Sequence, residues 1–468
     1  MLFPSPTFLF FFLPACIAAY FAVPGLRTKN VVLTLASLVF YAWGEPRFLV
    51  LMVAMIGMNY AAAIAIDMRG GAARKISLAL AVFMNLALLG IFKYADFTTG
   101  ILNTFLAPLG VEVPEANLPL PLGISFITFH CLSYLIDTFR KRFPANRSLL
   151  EVALYIALFP QLIAGPIVRY KTIARLLSKR YLSLGRVSAG LRIFVIGLSQ
   201  KLLLADPLAG AVSAVFDKAA APPTFEAWLG ALAYTLQLYF DFAGYSAMAV
   251  GLGMVFGFAL PRNFRVPYAS RSITEFWRRW HISLSTWFRD YLYIPLGGNR
   301  HGAAPTYRNL VIVFLLCGLW HGAGWTFVLW GLWHGIFLVL ERAGLGRILA
   351  VAPAPLAWLY AMVVVVFGWV LFRAPDLPHA VAIWRGMLAL NQGAAANPAF
   401  TLALNVHLAF VLTLGSILAV FGFPLPRGAL RPLSRAVWAD NIAVASLLWL
   451  SVLRIAAGTF SPFLYFRF

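Results

Sequence analysis

Residues 315–335 read LLCGLWHGAGWTFVLWGLWHG, and no charged side chain occurs between Arg308 and Glu341. A helix crossing ~30 Å of hydrocarbon needs ~20 predominantly apolar residues. The stretch therefore reads as two membrane crossings, at 309–322 (a short one) and 325–342, with Gly322 and Gly324 between them. His321 closes the first. It lies thirteen residues beyond Arg308, hence ~20 Å deeper than that charged edge. An ionisable side chain at such depth is costly and points to function. His334 closes a second GLWHG nearer Glu341 and Arg342, and reads as a structural histidine satisfied by a helical neighbour. Gly318, Gly322 and Gly324 would let a ligand or another helix approach the backbone closely.

The rest of the chain has the same character. Of its 468 residues 62% are hydrophobic and 11% charged, with a mean hydropathy of +0.83. Soluble domains run about 45–50% apolar and about 25% charged, so this composition excludes a water-facing protein. The net charge is +21, from 37 Lys and Arg against 16 Asp and Glu. The basic residues cluster between apolar spans, which is the pattern of cytoplasmic membrane loops rather than of a nucleic-acid surface. The same charge would also attract an anionic cytoplasmic substrate. Cys16, Cys131 and Cys317 lie in apolar stretches without CxxC spacing and read as small hydrophobes.

Further spans are expected at 5–23, 30–44, 47–66, 75–93, 119–137, 187–204, 226–257, 355–373, 403–424 and 441–458, with 226–257 long enough to be tilted or broken. The expectation is an all-α polytopic membrane protein of about 11–13 transmembrane helices, with residues 1–468 as a single integral-membrane domain. Positive charge follows the first apolar run, at Arg27 and Lys29, which argues for a first span with its N-terminus outside rather than a removed signal peptide. The loops around Arg27, Arg69–Lys75, Arg140–Arg147, Lys171–Arg186 and Arg262–Arg308 are basic, hence cytoplasmic. The loop 94–118 carries Asp96, Glu112 and Glu115 without Lys or Arg, hence extracytoplasmic. Two stretches, 149–167 and 273–296, have basic loops on both sides and so read as re-entrant or interfacial segments. Pro160, Gly165 and Pro166 supply a break in the first. No tandem repeat stands out, so repeat-built transporter folds gain no support.

Residues 272–296, SITEFWRRWHISLSTWFRDYLYIPL, begin with a capping box at Ser272 and Glu275. On one continuous helix Trp277, Trp280, Leu284, Trp287, Phe288 and Tyr291 share a face, and Arg278, His281, Ser285 and Arg289 the opposite one. An aromatic-anchored interfacial helix accounts for the pattern. So does a site that gathers cation, imidazole and hydroxyl for an anion or thioester. In the span 226–257, Gln237, Asp241, Tyr245 and Ser246 form a polar run. Asp241 needs a partner, expected to be an Arg or His of a neighbouring segment, in either a structural ion pair or a catalytic role. His130, His379 and His407 are isolated and read as structural or exposed. There is no Walker loop, HExxH or GxSxG, and no carboxylate or Cys joins the histidines at metal-ligand spacing.

Several of these stretches resemble the membrane-bound O-acyltransferase family, in its bacterial branch of alginate and polysaccharide O-acetylation proteins. The resemblance is carried by PLGISFITFH (121–130), FPQLIAGPIVRY (159–170), LQLYFDFAGYSAMAVG (236–251), FWRRWHISLSTWFRDYLYIPLGGNR (276–300), LCGLWHGAGWTFVLWGLWHG (316–335), GWVLFRAP (368–375) and the ending SPFLYFRF (461–468). It implies a membrane acyltransferase fold and transfer of an acyl group, most simply acetyl, from a cytoplasmic thioester to a hydroxyl at or beyond the outer face. His321 matches the family's membrane histidine. His281 matches a second position, at which the eukaryotic branch carries Asn. The expected catalytic pair is therefore His321 and His281. The expected donor-binding set is Arg278, Arg279, Ser285, Arg289, Trp320 and Asp241. No metal and no bound cofactor are expected, acetyl-CoA or another acyl thioester being the donor substrate. Implied partners are a periplasmic acetyltransferase-type protein, an exported polysaccharide such as alginate, and the bilayer, but no nucleic acid. The implied location is a bacterial inner membrane. A transporter or channel for an anionic solute, and a scaffold subunit of an export complex, are the competing readings.

Overall fold

In hydrocarbon every backbone polar group must be satisfied within its own segment, so apolar runs become helices. The computed structural model describes residues 1–217, 221–391, 395, 397–422, 436–458 and 463–464; it is 78% helical and has no strand among the described residues. Among the described residues eight helices are long and apolar enough to cross a membrane, and three shorter apolar ones lie at Thr7–Ala22, Ile124–Phe139 and Val406–Phe421. The chain divides into two compact units, Met1–Phe194 with Met248–Pro261, and Val195–Ala247 with Arg262–Phe468.

The first unit holds α1 (Leu13–Ala22), α2 (Leu26–Gly44), α3 (Leu49–Met68), α4 (Gly71–Leu106), α5 (Ile124–Phe139), α6 (Leu149–Ala157), α7 (Phe159–Leu162), α8 (Tyr170–Ser178) and most of α9 (Leu184–Ser199). The buried amides of Asn59 and Asn85 exchange hydrogen bonds at 3.1 and 2.9 Å, tying α3 to α4. Helix α4 runs on to Leu106, so residues 94–106, expected as loop, are helical. Only the following segment is irregular, held by Asp96 accepting from the Ala116 and Asn117 N–H groups. In the stretch 149–167 the helix stops at Leu158 (φ −51°, ψ 111°), resumes for the single turn α7, and continues as irregular, buried backbone. Gly165 is required there, since a Cβ would lie 2.5 Å from Gln161 Cα. A broken, protein-buried segment is what a re-entrant reading needs.

The second unit holds α10 (Ala209–Phe216), most of α11 (Thr224–Val255), α12 (Ile273–Arg279), α13 (Ile282–Phe288), α14 (Ala303–His321), α15 (Trp325–Leu340), α16 (Gly346–Val351), α17 (Ala354–Arg373), α18 (Leu377–Met387), α19 (Pro398–Ala403), α20 (Val406–Phe421) and α21 (Ala436–Ala456). Helix α11 is unbroken over 32 residues, about 48 Å, more than a perpendicular crossing requires. Helices α14 and α15 form a hairpin with no room between them. A Cβ at Gly318 would sit 2.2 Å from the Phe327 carbonyl oxygen, and one at Gly331 2.2 Å from that of Phe314. Small residues let membrane helices approach this closely. Of the ending 461–468 only Phe463 and Leu464 are described; the rest of that motif, like the last two residues of the expected span 403–424, lies outside the described residues.

Candidate active site

The segment that begins at Ser272 does not form one helix. Ser272 Oγ accepts from the Glu275 N–H at 3.0 Å and starts α12 as expected. The helix then stops: Trp280 is extended and His281 is left-handed, at φ 42° and ψ 54°. A positive φ is uncommon outside glycine, although His is among the residues that tolerate it better. A distant loop holds the break. The Ile282 N–H donates to the Asn263 carbonyl at 3.0 Å, the Ser283 N–H to Asn263 Oδ1 at 3.2 Å, and the Arg265 N–H to the Arg279 carbonyl at 3.0 Å.

This break corrects the expected polar stripe. The aromatic face is buried as anticipated, but His281 turns inward with it, fully buried, while Arg278 and Arg289 remain exposed. Arg279 is bound to Glu275 at 2.6 Å and Arg289 to Asp290 at 2.9 Å. Arg278 has no carboxylate partner among the described residues. Ser285 is half-buried, with its hydroxyl 3.4 Å from the Trp280 carbonyl. His281 lies edge-to-face with Phe242, ring centres 4.7 Å apart, and 6.1 Å from Trp320. Neither of its ring nitrogens has a hydrogen-bond partner among the described residues. Burial lowers its pKa to about 3, which keeps the imidazole neutral.

The hairpin brings the second histidine to the first. Helix α14 ends on His321, and Gly322 and Gly324 are both extended, so the two helices are separate, as the glycines led one to expect. Gly322 has no space for a side chain, because a Cβ would meet the Phe327 ring at 2.1 Å. His321 is 4% exposed. Its ring lies 4.8 Å from Trp320, 5.0 Å from Trp330 and 5.1 Å from Phe372. Trp320 thus neighbours both His281 and His321, which are forty residues apart in the chain. His334 sits inside α15, caged by Phe276, Trp277, Trp330 and Trp369 at 5.2–6.3 Å. The expected hydrogen-bonding neighbour is not there: both its ring nitrogens are buried without a partner among the described residues.

Asp241 is also corrected. Its partner is neither Arg nor His but Lys201, at 2.8 Å. Lys201 also binds Asp206 at 2.5 Å, and Asp241 Oδ2 accepts the Leu464 N–H at 2.8 Å. Asp241 is therefore a buried ion-pair residue rather than an open acceptor. Among the described residues no three His, Cys, Asp or Glu side chains cluster as metal ligands, and Cys16, Cys131 and Cys317 are buried free thiols.

The family model of membrane-bound O-acyltransferases matches residues 123–378, a range that contains both histidines of the cluster. The chain belongs to that family. It is 41% identical to the probable alginate O-acetylase AlgI of Azotobacter vinelandii and 42% identical to that of Pseudomonas putida, over the full length of both chains in each case. It is 36% identical to the peptidoglycan O-acetyltransferase of Helicobacter pylori, over all of this chain and 98% of that one. It is thus a multi-pass membrane O-acyltransferase.

In this acyltransferase two imidazoles and an indole stand together in a water-poor, aromatic-walled space, where proton transfer and hydrogen-bond donation are stronger than in water. The walls were not foreseen. Phe242, Trp330, Trp369 and Phe372 come from three different helices, and only their apolar setting was visible in the sequence. Lys201 was missed as well. Residues 200–205 form a π-turn, whose five-residue period puts Lys201 and Asp206 on one face. The pair Lys-x4-Asp in an otherwise apolar run was the available signal.

Proposed function

We propose that this acyltransferase takes an acetyl group from a cytoplasmic thioester, acetyl-CoA or another acyl thioester, and delivers it across a bacterial inner membrane for O-acetylation of an exported polysaccharide. Alginate is the acceptor suggested by the AlgI proteins, reached directly or through a periplasmic acetyltransferase-type partner. The observation that carries this reading is the buried cluster His281–Trp320–His321. His321 acts as general base. It removes the acceptor hydroxyl's proton as the oxygen attacks the thioester carbonyl, the C–S bond breaks, and the proton passes to the departing thiolate. Such assistance is typically worth 10²–10⁴-fold. A neutral His281 carries one N–H, and this or the Trp320 indole N–H stabilises the oxyanion. Arg278 and Arg289, exposed before and after the break, hold the donor's phosphates. Arg279 supports α12 through Glu275, and Ser285 lines the approach. Asp241 acts away from the donor, paired with Lys201 and the Leu464 N–H. The enzyme needs no bound metal or cofactor in this scheme.

The test is transfer of radiolabelled acetyl from acetyl-CoA in membranes holding wild type or His321→Ala at matched insertion. Label reaching the acceptor only with wild type is expected. Equal label in both would overturn the assignment of His321. Movement of an anionic solute with no acetyl transfer by wild type would favour the transporter reading instead.

A further inference from the structure

The Lys201, Asp206 and Asp241 side chains are each at most 3% exposed, in helices long and apolar enough to cross a membrane. Charges at such depth are costly. Apolar residues of similar volume are often as stable in place of a buried ion pair, so packing alone does not account for the cluster. What it offers that an apolar core lacks is an acceptor for a backbone N–H. That acceptor is in use: Asp241 binds Leu464, 223 residues further along the chain. Beside this contact Phe463 stacks on Tyr245, with centroids 4.6 Å apart and planes at 23°, and lies 6.2 Å from Phe242. Phe242 follows Asp241 on α11 and carries the ring against which His281 rests.

We propose that the Lys201–Asp206–Asp241 cluster is the docking site for the chain's own C-terminal segment, and that the docked segment holds Phe242 against His281. Asp241 and Phe463 are then positioning residues for acyl transfer. This second step rests on His281 belonging to the transfer site; the docking itself does not. Leu464 contributes a main-chain donor, so docking needs the acceptor at 241 and leaves the side chains free to vary, whereas the ring at 463 is what passes the docking on to Phe242.

Three variants of the full-length enzyme in native membranes test this. One is truncated after residue 462. One carries Lys201→Met, Asp206→Asn and Asp241→Leu together, which removes the charges without leaving one unpaired. The third combines both changes. Each is expected to lower kcat by roughly 100-fold, the scale of a ~1 Å misplacement at a reacting group, with the donor KM little changed. The combination is expected to be no worse than either part, because both remove one contact. Docking is read separately, from oxidative cross-linking of a Tyr245→Cys/Phe463→Cys pair, expected with the charged cluster intact and lost in the triple variant. A cross-link that survives the triple variant, or a truncation that leaves kcat unchanged, would overturn the proposal. A wild type that transfers no acetyl would overturn the functional reading and the positioning role together, while the cross-link still decides docking.

Discussion

The pentapeptide GLWHG occurs twice, at 318–322 and 331–335, and the two copies meet different fates. Their first glycines do the same work: Gly318 and Gly331 lie against each other's helix, and each admits a carbonyl of the opposite strand of the hairpin. Their histidines part company. His321 is the last residue of its helix, 4.8 Å from the Trp320 ring, which in turn lies 6.1 Å from His281. His334 lies ten residues into α15, in a closed aromatic cage. The residues that follow decide this. Ala323–Gly324 lets the chain turn, whereas Ile336–Phe337 carries the helix onward. Position relative to the helix end, not the motif itself, separates the two imidazoles.

The largest effect expected is at the histidines themselves. His321→Ala should lower acetyl transfer per inserted protein by ~10²–10⁴-fold, while His334→Ala retains substantial activity. A dead His334→Ala with an active His321→Ala would break the comparison outright. Next comes the donor side. Arg278→Ala should weaken apparent donor affinity by ~1.5–3 kcal/mol, the worth of a hydrogen bond to a charged group. Arg289→Ala should cost less, since that guanidinium is 60% exposed and already bound to Asp290. Unchanged donor dependence in both would make these arginines interfacial anchors. Smaller still is the hairpin itself. Ala at Gly318 or Gly331 must push backbone aside, at ~1–3 kcal/mol, and should lower the thermal midpoint of the purified enzyme by similar amounts in the two variants. Unequal losses would show that the first glycines are not equivalent. The least effect belongs to Gly335→Ala. There a Cβ meets only Phe314 Cβ at 3.3 Å and Val311 Cα at 3.7 Å. Its crowding is offset by the ~1 kcal/mol helix advantage of Ala over Gly, leaving the midpoint near wild type.

The membrane helices were legible because hydropathy is a local property. Helix ends such as Arg373 and His321 fall within a residue or two of the expected ones. Helix α2 is present along 30–44, although its first turns carry Arg27, Lys29 and Asn30. The break at His281 was not legible. Trp280-His281-Ile282 contains neither Gly nor Pro, and the hydrogen bonds that sustain the break come from Asn263, some twenty residues away. Local propensity thus favoured one helix and tertiary contact imposed two, so the wheel that put His281 beside Arg278 and Arg289 was built on a continuous helix that does not form. Asp241 failed for a related reason. A helical period of 3.6 does not place Lys201 over Asp206, whereas the π-turn does.

The left-handed backbone at position 281 also limits what evolution can do there. Side chains that enter this region at little strain are few: glycine, Asn, Asp and, less readily, His. Asn, the residue that the resemblance places at this position in the family's eukaryotic branch, tolerates the same backbone, so an exchange of His for Asn is compatible with the break. A β-branched residue such as Val would be strained there, a strain this chain bears at Val266, whose φ is 49° and ψ 63°. The backbone at position 281 therefore favours a narrow set of polar residues and sets a strain cost on an apolar one, whatever chemistry the side chain performs.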